Sequence, residues 1–334
     1  MVTIDDVARH AGVAPSTVSY VLSGKRSISA TTRLRVQDSI RTLGYHPHAG
    51  ARALASSRSS LIALVLPLRP DMHVPILMEL ATSVVTTARE HEHDVLLLTN
   101  DEGPAGLERV ASSALADALV LMDVELRDRR IPLLRQLGIP AVLVGFPQDR
   151  QGLTCIDLDF SAAGALCVDH LAEHGHRDLA LIGPPEGVYR RGTGFAERTL
   201  DGFRSQVERR GLTELHCPCP GAYEPASRAI ARLLEAHPEV TGIVVQNEAA
   251  IGPLLDVLRG SGRRVPRDVS IVAICADSAA EQAPLPLSSV AIPSHLMGRQ
   301  AVELVMAKVR GGPVAEATLL EARLTVRDSS GPAA

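Results

Sequence analysis

Near the start of the chain, apolar side chains recur at Ile4, Val7, Ala8 and Ala11, at offsets of three, four and seven, which predicts one buried face of a short helix. Thr3 and Asp6 predict where that helix opens, since a hydroxyl and a carboxylate three residues apart take up amides that a helix start leaves bare. Gly12 supplies a turn, and Pro15 suits the first turn of a second helix. In that helix Val18, Val21 and Leu22 are expected inward, while Pro15, Ser16, Ser19, Tyr20 and Ser23 face water. A third helix follows in SISATTRLRVQDSIRTLGYHP, capped by Ser29, with Leu34, Ile40 and Leu43 inward and Arg33, Arg35 and Arg41 outward. Two short helices joined by a tight turn and backed by a third read as a DNA-reading head. The plain alternative is a helical hairpin with a solvated polar face.

Beyond the polar connector SSRSS the pattern changes. Continuous apolar runs appear at 61–68, 94–99, 118–122 and 140–145, and a second series at 179–183, 242–246 and 270–276, each separated by longer helix-like stretches. Short, wholly apolar strands alternating with helices predict parallel sheets covered on both faces, and two series predict two doubly wound lobes. Ligands of such sheets sit beyond the carboxyl ends of the strands. A shared cleft is therefore expected among residues 68–74, 100–103, 123, 145–147, 183–198, 246–248 and 275–278.

Composition and charge narrow this picture. The chain has 334 residues, enough for two or three domains, and its 46% hydrophobic content argues against disorder. The net charge of −4 conceals an asymmetry. Residues 1–60 hold eight basic groups against three acidic ones, a net of +5, which leaves −9 for the remainder. A basic head on an acidic body fits a molecule of which only the head approaches phosphates. No apolar leader precedes Asp5 and Asp6 and no run is long enough to span a membrane, so the cytoplasm is the expected location. Five cysteines, an odd number, are expected as buried thiols. Cys217 and Cys219, one residue apart, match neither a redox nor a zinc spacing.

The residues at this point resemble the LacI/GalR family of bacterial transcription repressors. Ala8, Gly12, Val18 and Val21 sit where its helix-turn-helix wants them, followed in order by TVSYVLSG, TTRLRV and LGYHP. YHPHAGARAL is similar to the family's hinge, with His48 in place of the usual asparagine. Asp159 and Gly164 in the segment from Cys155, GHRDLALIG, VPRDVSIVAI and the segment ending in GRQAVELV continue the likeness through the body. The resemblance implies a small all-α helix-turn-helix head and an α/β two-lobed periplasmic-binding-protein-like effector domain. The implied boundaries are 1–47 for the head, 48–60 for a hinge helix and linker, and 61–334 for the body. Lobe 1 takes 61–160 plus 291–320, and lobe 2 takes 161–290 plus 321–330.

What such a protein implies is a near-palindromic double-stranded DNA operator, a homodimer, and a small-molecule effector, a sugar or related metabolite, in the cleft. Pro15, Ser16 and Tyr20 are expected at base edges, and Ser16, Thr17 and Ser19 partly at phosphates. Thr3, Lys25, Arg26 and Arg52 complete the expected DNA contacts, and Leu54 is the expected wedge between base steps in the minor groove. The expected effector contacts are Met72, Asp123, Asp159, Arg191, Arg198, Asn247, Cys275 and Asp277. The likeness is weakest here. The family's arginine position holds Thr199, with Arg198 one step earlier; its strand-end aspartate is Cys275, with Asp277 two residues on; and Gln246-Asn247 replaces an Asn-Asp pair.

Three arginines, Arg190, Arg191 and Arg198, suit an anionic effector if they are not simply solvated. His170, His174 and His176 do not share one helical face, so neither metal nor cofactor is expected. An enzyme with an accessory DNA-binding head is the alternative reading. No Gly-x-Ser-x-Gly elbow, phosphate loop or metal-ligand helix motif supports it, and Cys275 has no evident base. A transport-type binding protein would share the body but not the basic head.

Overall fold

Thr3 and Asp6 close on each other. The Thr3 side chain accepts from the Asp6 amide, and the Asp6 carboxylate accepts from the Thr3 amide at 2.9 Å, so the two bare donors are satisfied reciprocally. From this cap α1 (Ile4–Ala11) runs to Gly12, whose φ of 61° makes the left-handed exit that a side chain would resist. Two more helices, α2 (Pro15–Ser23) and α3 (Ala30–Leu43), pack on it around Val7, Ala8, Ala11, Val18, Val36 and Tyr45. The structure, a computed structural model, describes residues 2–23, 26–45, 59–113 and 115–333. The hinge expected over 48–60 lies outside them apart from Ser59 and Ser60, whose amides both bond the Asp117 carboxylate, at 2.7 and 2.8 Å.

Two expected core residues of the head do not turn inward. Leu34 is 59% exposed and Leu22 38%. The inner face of α3 is set by Val36 and Ser39, with Ile40 and Leu43 packed beside them, and Leu34 lies about 200° around the helix from Val36. Ser39 is tolerated inside because its hydroxyl donates to Arg35 O at 2.8 Å and lies 3.0 Å from His10 Nδ1. Leu22 sits in the last turn of α2, at the edge of the three-helix core.

The body opens with β1 (Leu61–Val65), α4 (Val74–Glu90), β2 (Asp94–Leu98), α5 (Pro104–Ser112), β3 (Ala118–Leu121), α6 (Ile131–Leu137), β4 (Ala141–Val144) and β5 (Thr154–Leu158). The second lobe follows with α7 (Phe160–Glu173), β6 (Asp178–Gly183), α8 (Glu186–Arg190), α9 (Gly194–Arg210), β7 (Thr213–Pro218), α10 (Tyr223–Ala236) and β8 (Gly242–Val245). After a 3-10 turn at Glu248–Ala250 come α11 (Ile251–Gly260), β9 (Ser270–Cys275), α12 (Asp277–Gln282) and β10 (Ser288–Ala291). The chain then returns through α13 (Ser294–Val309) and β11 (Ala317–Leu320) and ends its sheets with β12 (Leu324–Thr325).

One sheet has the order β11-β5-β4-β3-β1-β2, all parallel, and the other β12-β10-β9-β8-β6-β7, parallel except for β12. Each strand interior alternates between two cores. Ile62 and Leu64 of β1 join the cluster under α4 and α13, while Ala63 and Val65 join the one under α5 and α6. Burial on both faces is why the inner strands read as unbroken apolar runs, whereas β2 at the sheet edge is apolar with Leu97 41% exposed. All seven runs are strands. The other five, β5, β7, β10, β11 and β12, carry polar residues and so show no continuous apolar run. Ser288 and Ser289 of β10 are fully buried because the C-terminal segment satisfies them: Ser329 Oγ accepts from the Ser288 amide and Arg327 donates to Ser289 Oγ, both at 2.8 Å.

Lobe 2 is held tight by backbone contact between α7 and α9. A Cβ on Gly202 would sit 2.0 Å from Ser161 O, and one on Gly164 2.5 Å from Thr199 O. A methyl group at either place forces the helices apart. Gly202→Ala is accordingly expected to cost about 3 kcal/mol of unfolding free energy in urea titrations. A loss below about 1 kcal/mol would mean that the two helices separate freely.

Candidate DNA-reading face and effector cleft

On α2, Pro15 and Ser16 are exposed and Thr17, Ser19 and Tyr20 partly so. They form an outward strip of small side chains with one aromatic ring. The Arg26 guanidinium lies 5.8 Å from the centroid of the Tyr20 ring, within cation–π range, which places positive charge beside that ring. Thr3 is spent on the cap of α1. Lys25, Arg52 and Leu54 lie outside the described residues.

Between the lobes lies a cleft of about 410 Å³, lined from lobe 1 by the start of α4 and the ends of β3 and β4, and from lobe 2 by α8, α9 and the segment after β8. Phe160 and Ile292, where the chain crosses between lobes, close its back. Contacts span the two lobes on either side. Arg191 grips Asp71 through both terminal nitrogens, at 2.7 and 3.1 Å, and His73 Nε2 meets Glu248 Oε2 at 2.9 Å. Nearby, the Leu126 amide donates to Gly192 O at 2.7 Å and the Gly194 amide to Val124 O at 2.8 Å.

Of the expected effector contacts, Met72, Asp123, Arg191 and Asn247 line the cleft. Asn247 has both amide atoms engaged, its nitrogen with Cys219 O at 2.8 Å and its oxygen with the Ala249 amide at 3.2 Å. Four others do not line it. Asp159 caps α7, accepting from the Ala162 amide at 3.0 Å, and Asp157, two residues earlier, lines the cleft instead. Arg198 binds Asp157 from behind and lies between the rings of Phe146 and Phe160, at 5.3 and 5.9 Å from their centroids. Cys275 is a fully buried strand residue whose thiol burial pushes up to about 12, so it is also no nucleophile. Asp277 pairs with Arg327 at 2.6 Å on the surface side of α12.

Asp71, His73, Gln246 and Glu248 fall within the expected cleft ranges, but of these the sequence points individually only to Gln246, beside Asn247 in place of the family's Asn-Asp pair; nothing in the sequence points to Asp157 or Phe160, which lie in the segment from Cys155. One signal was available: of four phenylalanines in the chain, Phe160 and Phe195 line the cleft and Phe146 packs on Arg198 behind it. Asp123 is paired with Arg69, which also reaches Asp101 at 3.0 Å, and burial raises the Asp123 carboxyl above its usual range. Asp157 is pushed up to about 7 by burial, with Arg198 acting against that rise. His170 bonds Ser330 Oγ at 2.8 Å, and His176 lies 3.0 Å from Thr241 Oγ1 and 3.1 Å from Gly331 O, so both tie down the C-terminal segment. Among the described residues no cluster of acids, histidines and cysteines could hold a metal, and no helix is long and apolar enough to cross a membrane.

Residues 3–48 match the family model for bacterial regulatory proteins of the lacI family, and residues 168–330 the model for a periplasmic binding protein-like domain. The HTH-type transcriptional regulator CelR of Thermobifida fusca is 30% identical over 340 residues, covering 98% of both chains. A solved CelR–cellobiose complex aligns with a TM-score of 0.69 at 28% identity, over 98% of this chain and 100% of that one. The lac repressor dimer bound to operator and the anti-inducer ONPF shares the fold, with a TM-score of 0.83 at 22% identity and 99% coverage of each chain.

Asp157 gives the site a pH signature. The folded chain holds this proton to about pH 7, whereas an unfolded aspartate releases it near 4, so the folded state binds more protons in that window. The stability it contributes is present in acid and lost as pH rises toward 7. Urea stability of the wild type should therefore fall relative to Asp157→Asn between pH 4 and 7. A constant difference between the two across that range contradicts the buried, protonated carboxyl.

Proposed function

The chain belongs to the lacI family of bacterial regulatory proteins and is a DNA-binding transcriptional regulator rather than an enzyme, and from that premise we propose how its parts act. The head, 1–47, reads an operator through α2. Tyr20, Ser16 and Pro15 face base edges in the major groove, and Thr17, Ser19 and the basic Lys25 and Arg26 hold the backbone. Residues 48–60 act as a hinge, with Arg52 on phosphate and Leu54 wedged between base steps of the minor groove. One head offers few contacts, so two chains bind a near-palindrome as a homodimer in the cytoplasm. The outer face of lobe 1 supports that pairing, since Val74 and Met78 of α4 and Leu296 of α13 are each more than 40% exposed on helices that pack side by side.

The body senses a small effector, a sugar or related metabolite, and the likeness to the cellobiose-bound regulator makes a sugar the first class to test. The observation that carries this reading is the pair of side-chain contacts, the Arg191–Asp71 ion pair and the contact of His73 Nε2 with Glu248, that joins the two lobes across the cleft. A molecule entering there competes with these contacts or reinforces them, so it changes the lobe angle and with it the separation of the two hinges.

The DNA arm is tested by selecting duplexes from a randomised pool with the full-length protein and titrating the winner by gel shift. Tyr20→Ala should lower the preference for the selected site over random duplex by about 1–3 kcal/mol while leaving random-duplex binding nearly unchanged. Leu54→Ala should reduce both affinity and bend angle. Selection of no sequence at all, or a Leu54→Ala protein that binds and bends like the wild type, would overturn the reading.

A further inference from the structure

The charged groups of the cleft are already matched to one another. Asp71 is held by Arg191, Asp123 by Arg69, Asp157 by Arg198, and Glu248 by His73 and the Ala276 amide. An anionic ligand would meet no free cation among the described cleft residues, and a cationic one no free carboxylate. Moving a charge into such a space without a partner costs several kcal/mol. Between the ion pairs the walls are apolar, with Ile76, Leu77, Met122 and Met297 on the lobe 1 side and Val188 and Phe195 on the other.

Against this background two buried polar atoms of described cleft residues have no partner: Gln246 Oε1 and Arg191 Nε. Gln246 is only 6% exposed. Its nitrogen donates to Thr199 Oγ1 at 2.7 Å and approaches Phe195 O at 3.3 Å, an arrangement that fixes which end of the amide is the oxygen and leaves that oxygen bare. A buried acceptor left bare costs about 1–3 kcal/mol, which a donor on a ligand would restore. Thr199, which stands where an arginine was anticipated, is what turns the amide this way.

We propose that the cleft takes an uncharged, amphipathic molecule whose apolar body lies against the wall formed by α4 and α13 and whose hydrogen-bond donor meets Gln246 Oε1. The inference rests on the cleft being the effector site. It excludes the anionic effector that Arg190, Arg191 and Arg198 suggested in the sequence, because Arg191 is held by Asp71, Arg198 lies behind Asp157 and outside the cleft lining, and Arg190 is exposed away from the cleft.

Two dyes with the same ring system separate the alternatives. N-phenyl-1-naphthylamine is uncharged and has one N–H donor; 8-anilino-1-naphthalenesulfonate adds a sulfonate. In fluorescence titrations of the full-length protein the amine should saturate, with a Kd at least roughly tenfold below that of the sulfonate. Gln246→Met should weaken the amine by about threefold to tenfold, the worth of one hydrogen bond, and Leu77→Trp, which puts a bulkier ring on the apolar wall, should also weaken it by at least about threefold. A sulfonate that binds as tightly as the amine overturns the uncharged class while leaving the cleft as effector site. Unsaturable amine binding overturns the apolar body, and an unchanged Kd in Gln246→Met overturns the donor contact. An amine Kd unchanged in Leu77→Trp places the dye elsewhere, and then the proposal loses its site.

Discussion

Two parallel sheets can share a cleft at their strand ends only if the chain crosses between them, and here it crosses three times, after β5, after β10 and after β11. Three adjacent covalent connections leave the lobes little freedom except to rotate about the crossing region. The arrangement of the body follows from that constraint. Asp157 and Phe160 flank the first crossing and Ile292 lies in the second, so the cleft floor is made from the pivot itself. The contacts farther out, Arg191 with Asp71 and His73 with Glu248, then fix where along the permitted rotation the lobes rest.

The same constraint explains why the ions of the cleft are paired within the protein. Groups near a pivot keep their distances when the lobes move, so Arg198 and Asp157 remain together whether the cleft is wide or narrow. Groups at the rim do not, and Arg191 with Asp71 is the pair that a change of lobe angle would stretch first. Buried pairing at the pivot and partly exposed pairing at the rim divide the roles between structure and switching.

Much of this was legible in the residues, and the failures have physical causes. The head was legible because its punctuation is local: Thr3 with Asp6, Gly12 and Pro15 each act on the backbone within one turn. The phase of α3 was not, because Ser39 buries itself by bonding Arg35 O and His10, and so frees Leu34 to face out. Strands covered on both faces announced themselves as apolar runs, but β10 hid behind Ser288 and Ser289, which are buried only because the distant Arg327 and Ser329 satisfy them. The location of the cleft followed from the rule about strand ends. Its individual residues did not, since a shift of two positions separates the capping Asp159 from the cleft-lining Asp157, and Cys275 ends inside its strand rather than beyond it.

The rim pair has one more property. Arg191 and Asp71 are each about a fifth exposed, so dissolved salt reaches them and weakens their attraction, while the Arg198 and Asp157 pair beneath is shielded. Raising ionic strength also weakens any basic head on a phosphate backbone through counterion release. Ionic strength therefore acts at both ends of the molecule at once, loosening the clamp and the grip together.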